Sequence, residues 1–262
     1  MKIGILIPLK AKAVAKNWQE VANSAYQTVQ SVLHQTNSCF SVALVGHDCP
    51  ENLTQVTHAG KPVFVPFDAF PPPVVNPTDE MLNQKNYEID RCSKILKGMQ
   101  VLAERDSDIT HWFALDADDL LHKNFVSTLI KAGDHQGFII ENGYFYFAKW
   151  KIFNATNEFY YYCGSSAVIS QSLFTIPDTL TKDSYRGMPF GAISHVHMKE
   201  YFEKNNLIYF IPQEKLLMYV RANGDNISDG YLDSGYKKLR AFASMLAKYS
   251  YLSKSEKKAF GL

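Results

Sequence analysis

Residues Ile3 to Leu9 form a short apolar run that stops at Lys10, the pattern of a buried strand opening a sheet. Val21, Ala25, Val29, Val32 and Leu33 then recur at helical spacing, and Asn17 with Glu20 three residues on predicts a capping box at that helix's start. Phe40 to Gly46 reads as strand, His47 to Asn52 as turn, and Pro62 to Phe67 as a third short strand. Strand, helix, strand in this order predicts a right-handed parallel crossover.

The stretch from Pro62 to Pro77 holds PPP at 71–73 and predicts a long, stiffened loop, either functional or a surface connection. Lys85 to Glu104 reads as a long helix with Ile89, Cys92, Ile95, Leu96, Met99 and Leu102 on its apolar face. Arg91, Lys94 and Gly98 share another face. His111 to Leu115 predicts a strand that runs into Asp116, Ala117, Asp118 and Asp119, with a helix beginning at Leu120. Strands at about 137–147, 159–163, 207–211 and 216–221, with a helix near 196–205, make the second half more mixed. From about Leu232 an amphipathic helical stretch carries Lys237, Lys238, Arg240, Lys248, Lys254, Lys257 and Lys258 against Asp233 and Glu256. Such a basic face is either solvated or suited to a membrane surface or partner.

Composition narrows the class. With 262 residues, 46% hydrophobic, 20% charged and a net charge of +1, the chain is globular and long enough for a sizeable core, which excludes disorder. A near-zero charge also excludes nucleic-acid binding through the overall field, so any polyanion must be met locally. The spacing of Cys39, Cys49, Cys92 and Cys163 matches neither a thiolate metal site nor a disulfide framework. Cys39, Cys92 and Cys163 sit among apolar neighbours and are expected as buried, reduced thiols, which suggests a reducing compartment. The opening apolar run is too short for a signal peptide, and no run reaches the roughly 18 residues of a membrane span. A cytoplasmic location is expected, with peripheral membrane contact through the basic tail as a further option.

The chemistry concentrates at Asp116 and Asp118. They stand two apart at the end of a strand, so its period-2 alternation aims both carboxylates to one side, a costly arrangement without a cation. Carboxylates at the carboxyl end of a strand in an open α/β sheet border the ligand crevice and suit Mg²⁺ or Mn²⁺ beside phosphate oxygens. The competing account makes Asp118 or Asp119 a cap for the following helix.

The word FALDADDLL after a parallel crossover resembles the metal-binding segment of the GT-A fold glycosyltransferases, and the chain looks similar to glycosyltransferase family 2. IGILIPLK, VALVGHDCPE, DRCSKILKGMQVLAE, GSSAVIS, the segment from His195 to His197 and YVRANGDNIS agree with that family in order. The resemblance covers roughly residues 3–230. It implies an α/β, Rossmann-like mixed central sheet flanked by helices over 1–230, with 231–262 as a basic helical tail. It implies an enzyme that moves a sugar from a nucleoside diphosphate sugar, a UDP-sugar by preference, to the hydroxyl of a glycan, lipid-linked or other acceptor.

The same resemblance suggests roles. Pro8 and Lys10 would lie near the base and ribose, and Asp48 near the uridine end, although Lys10 also suits an ordinary exposed position and Asp48 a turn. Asp90, Arg91 and Lys94 would approach the nucleotide and its phosphates. Asp116 and Asp118 would hold the divalent cation, with Ala117 between them on the donor, and His195 or His197 would supply a third contact. Gly164, Ser165 and Ser166 would lie beneath sugar and acceptor, and Asn226 and Ser228 in a late loop over the donor phosphates. Where an acidic pair is expected to supply the acceptor's base, this chain has GAISHVHM, leaving Asp178 and Asp183 as the nearest carboxylates. Two other readings compete. One is a non-catalytic nucleotide-sugar-binding module; the other is a sugar-phosphate nucleotidyltransferase, which PLKAKAVAKNW disfavours for want of glycine.

Overall fold

The computed structural model of this chain describes residues 1–58, 62–221 and 248–262. A seven-stranded mixed sheet forms its centre, in the order β10-β6-β9-β4-β1-β2-β3. β1 (Ile3–Pro8) is buried along its whole length and lies parallel to both β2 (Phe40–Gly46) and β4 (His111–Ala114). β3 (Val63–Pro66) continues the parallel set beyond β2. On the other side β9 (Ala167–Ser170) runs antiparallel between β4 and β6 (Gly137–Ile139), and β10 (Tyr209–Phe210) ends the row. The chain leaves β1 in one direction and returns on its other side with β4. That reversal makes a topological switch point at their carboxyl ends, where open α/β sheets place their crevice.

Local signals explain the long helices. α1 (Trp18–Leu33) starts at Asn17, whose side chain accepts from the backbone N–H groups of Gln19 and Glu20, and it buries Ala25, Val29 and Val32 in the core. α3 (Glu80–Arg105) starts five residues before the expected boundary, because Asp79 accepts from Leu82 N–H. It lies on β1 and β2 so closely that a Cβ on Gly98 would stand 2.8 Å from Leu6 and 2.9 Å from Val45. The proline-rich loop is tied to this helix by Asn76 and Asn83, which exchange two hydrogen bonds of 2.7 Å.

Several expected elements differ. Part of the expected turn at 47–52 is already helix: α2 (Glu51–His58) follows Pro50 and buries Leu53. No helix begins at Leu120; Leu120–Leu121 is instead a two-residue strand, β5, and α4 (Phe125–Ala132) follows. The expected strand at 137–147 is two strands in different sheets, β6 and β7 (Gly143–Phe147). β5, β11 (Leu217–Arg221), β7 and β8 (Ile152–Thr156) form a four-stranded second sheet, in that order. The expected strand at 159–163 is a short helix, α5 (Phe159–Tyr162). Its aromatic run favours a strand by propensity, but Phe159 donates its N–H to Glu141 and buries its ring against Gly143, where a Cβ would stand 2.2 Å away. A 3₁₀ turn, His195–His197, leads into α7 (Met198–Lys204), with the short α6 (Pro189–Ala192) before it.

Cys92 and Cys163 are buried as expected, whereas Cys39 is exposed just before β2; all four thiols are free. No described helix is long and apolar enough to cross a membrane. Much of the expected basic tail, with Asn226 and Ser228 just before it, lies outside the described residues. Its end is a helix, Lys254–Ala259, whose neighbours Leu252 and Phe260 are buried against Leu120, Phe153, Met218 and Val220 of the second sheet. Phe260 meets His122 and Tyr144 edge-on at 5.2 and 5.9 Å. Truncating it opens a cavity, so Phe260→Ala is expected to cost about 3–5 kcal/mol in urea unfolding. A change under about 0.5 kcal/mol, the range of neutral surface substitutions, would contradict docking of the terminus.

Candidate active site

β4 ends at Ala114, so strand alternation does not place the two expected metal-binding aspartates. Asp116 to Asp119 form a turn closed by a 3.1 Å hydrogen bond from Asp119 N–H to the Asp116 carbonyl. The turn is fastened to the start of the neighbouring antiparallel strand through one hydroxyl. Ser165 Oγ accepts from Asp116 N–H at 2.9 Å and donates to Asp119 Oδ2 at 2.7 Å. Cys163 Sγ also donates to Asp119 Oδ2, at 3.1 Å. Asp119 is fully buried, so it neither caps a helix at the surface nor meets solvent. Burial, reinforced by the nearby Asp118 and Asp116 charges, raises its pKa well above the ordinary carboxyl range and favours the neutral acid.

Arg91, expected beside the phosphates, reaches Asp116 Oδ1 through Nε at 2.7 Å. Both side chains are about a third exposed, at 31% and 32%. Burial works against the guanidinium charge, but Asp116 outweighs it and holds the group above its usual pKa. Arg91 Nη2 is buried and has no hydrogen-bond acceptor among the described residues. Gly164 closes over this pair. A Cβ there would lie 3.2 Å from both Arg91 Nη2 and Asp116 Oδ2, so glycine is what permits the approach.

Lys94 and Asp90, also expected beside the phosphates, point inward. Lys94 is 1% exposed and donates to the Leu9 carbonyl at 2.8 Å and to Asp90 Oδ2 at 2.5 Å. His47 Nε2 stands 3.2 Å from Asp90 Oδ1, and Asp48 accepts from Lys12 N–H at 3.0 Å. These groups stitch the carboxyl ends of β1 and β2 to α3. Burial lowers the Lys94 pKa, with Asp90 opposing. Pro8 is buried at the strand end and Lys10 is half-buried beyond it. Ala117 occupies the exposed side of the acidic turn with Asp118, and both are half-buried.

The remaining expectations divide. His195 is half-buried at the start of the 3₁₀ turn, and burial lowers its pKa. His197, two positions on in a 3₁₀ turn of three residues per turn, diverges from it. It is 66% exposed and faces Glu200 at 3.3 Å, so the structure does not bring both histidines to the turn. Ser165 and Ser166 are buried, which corrects the expectation that their hydroxyls line a sugar site; only Gly164 of that triplet meets the surface. Asp178 is exposed beside Gln100, nine residues and about 14 Å along α3 from Arg91 at 1.5 Å per residue. Asp183 is exposed and pairs with Arg186 at 2.9 Å. Neither carboxylate shows a contact with the acidic turn. Among the described residues, no three His, Cys, Asp or Glu side chains gather into a metal-ligating group.

One group at this edge was missed. Glu141 follows β6, two residues past Ile139, and pairs with Lys199 at 2.7 Å. The sequence signal was its place just beyond a parallel strand, hidden by reading 137–147 as one element.

No family model matches the sequence, and no curated protein matches it. A solved structure of related shape is described as a "putative nucleotide-diphospho-sugar transferase" from Desulfovibrio desulfuricans G20. It shares 11% identity at a TM-score of 0.36, over 96% of this chain and 100% of that one.

The buried acid generates a pH prediction. Its folded-state pKa lies above the unfolded value of about 3.9, so the native state holds the extra proton between the two. Stability is then full below about pH 4 and falls as pH rises through that window. Asp119→Asn keeps the shape and cannot ionise. Its Tm is expected to fall less than the parent's between pH 4 and pH 9, and parallel curves would contradict a raised pKa.

Proposed function

We propose that this chain is a glycosyltransferase of the GT-A kind, which transfers a sugar from a nucleoside diphosphate sugar to an acceptor hydroxyl. The observation that carries the reading is the Arg91–Asp116 pair at the β1/β4 switch point, covered by Gly164, with Asp118 in the same turn. A mixed sheet with its crevice at that edge suits a nucleotide ligand.

Arg91 contributes a fixed positive charge and a spare N–H donor, the chemistry a diphosphate needs from a guanidinium. Lys94, held by Asp90, acts from below: it anchors the Leu9 carbonyl, and with it the loop through Lys10 that would pass the base and ribose. Gly164 lets its segment close onto the Arg91–Asp116 pair without displacing either side chain. Ser165 and Asp119 hold the turn's backbone, so the Asp116 and Asp118 side chains start from one fixed position.

The donor set fits a hard divalent cation in the mode that Mg²⁺ favours, one or two carboxylates with phosphate oxygens completing the shell. Asp116 keeps Oδ2 outside the Arg91 hydrogen bond, and Asp118 is half-buried beside it. These two residues would hold Mg²⁺ or Mn²⁺. Such an ion, when bound, neutralises charge that develops on the departing diphosphate. Local compensation of this kind is compatible with a chain whose net charge is only +1.

Thermal melts test the reading. UDP with Mn²⁺ at about 100 times its Kd is expected to stabilise the chain by about 2.7 kcal/mol. Asp118→Ala should abolish the Mn²⁺-dependent part, and Arg91→Ala should weaken UDP binding with or without the ion. If neither UDP nor GDP raises the Tm of the parent chain, the proposal is wrong.

A further inference from the structure

The second sheet has two unlike faces. Strand alternation sends Tyr144 and Tyr146 of β7 to one side, where Phe260 meets Tyr144 and Phe153 stacks on Tyr146 at 4.5 Å. Phe145 and Phe147 point the opposite way, and the parallel register with β11 sets Tyr219 directly beside Phe145, their rings 6.0 Å apart. α5 crosses one end of this second face. Its Phe159 fills the space over Gly143, and Tyr162, three residues on, meets Phe145 edge-on at 5.3 Å. Tyr161 meets Tyr162 in the same way at 5.2 Å. These two outer tyrosines are 59% and 47% exposed, with Phe145 and Tyr219 half-buried behind them.

The same helix carries the aromatic face to the candidate active site. Tyr162 is followed by Cys163, Gly164 and Ser165, and each of the three touches the crevice wall. Cys163 Sγ donates to Asp119 Oδ2 at 3.1 Å, Gly164 abuts Arg91 and Asp116, and Ser165 Oγ accepts from Asp116 N–H. At about 3.6 Å of chain per residue, the Tyr162 Cα lies within about 7 Å of the Gly164 Cα. The exposed rings therefore stand at the rim of the crevice, where an acceptor has to present its hydroxyl to a donor sugar.

What this rim offers is phenolic rather than aliphatic. A π face carries partial negative charge and attracts the polarised C–H groups on the flat side of a pyranose ring, while a phenol hydroxyl both donates to and accepts from sugar hydroxyls. An acyl or prenyl chain has no partner for those hydroxyls. Phe159, seated over Gly143, fixes α5 from beneath, so the two tyrosines are held in place before a ligand arrives and little ordering cost is left to binding. We propose that Tyr161 and Tyr162, backed by Phe145 and Tyr219, form the acceptor subsite and that the acceptor is a saccharide stacked on these rings. The assignment rests on the transferase reading above and names its acceptor class.

The full chain is tested for binding to immobilised neutral and acidic oligosaccharides and, in parallel, by thermal melts with UDP and Mn²⁺. The parent is expected to hold a subset of the oligosaccharides. Tyr162→Leu, which keeps apolar bulk without a π face or hydroxyl, should weaken that binding about tenfold, whereas Tyr162→Trp should retain it. Tyr161→Leu combined with Tyr162→Leu should abolish it. The UDP-dependent melting shift of each variant reports that the crevice has kept its fold; if the double variant loses the shift, Tyr161→Leu alone, at the more exposed ring, is read in its place. Undiminished oligosaccharide binding in the Leu variants overturns the proposal. So does a parent chain that shows the UDP shift but holds no oligosaccharide, and so does binding to phosphatidylcholine vesicles that Tyr162→Leu preserves while no oligosaccharide is held, which would make the rim a lipid contact. A parent chain without any UDP shift ends the transferase reading itself, and the acceptor role with it.

Discussion

The hydroxyl of Ser165 is the point on which the candidate site turns. It accepts from Asp116 and donates to Asp119, so both ends of the acidic turn are fixed to the start of β9 by one atom. A carboxyl group sealed from water is costly when charged, and the neutral form that burial favours lets Asp119 serve as an internal strut. With the strut in place, the two outer carboxylates can be presented at the surface without the turn moving under their mutual repulsion. The antiparallel insertion of β9 between two parallel strands is what brings Ser165 to that position.

α3 supplies charge at two depths. Lys94, three residues after Arg91, is directed into the protein, where it satisfies the Leu9 carbonyl and Asp90 at the end of β1. Arg91 is directed outward onto Asp116. A buried cation of this sort is retained only with partners that replace water, and here both are present. From one helix the two residues hold the acidic turn and the end of β1.

Much of the first half was readable from the chain. β2 has the expected bounds, α1 is capped by Asn17 as its spacing predicts, and the long helix carries its apolar residues inward. Those elements are governed by local periodicity and capping, which sequence records directly. The second half resisted because tertiary contacts overrode propensity. Leu120 and Leu121 pair with Leu217 and Met218, partners nearly a hundred residues away, and so form a strand rather than a helix. Phe159 to Tyr162 form a helix because Phe159 must fill the space above Gly143.

The candidate residues show the same division. By itself the sequence determined which chemistry was on offer: an acidic cluster after a buried strand, basic residues on the preceding long helix, two histidines late in the chain, and too little net charge for binding by a global field. It could not say which way each side chain faces. Arg91 and Lys94 lie on one helix face in sequence, yet one is drawn out by Asp116 and the other in by a backbone carbonyl. His195 and His197 share a tight 3₁₀ turn that leaves the first half-buried and the second exposed beside Glu200. Ser165 and Ser166 become interior groups because β9 is covered on both sides. Orientation depends on partners distant in the chain, and only the folded arrangement of β4, β9 and α3 brings those partners into contact.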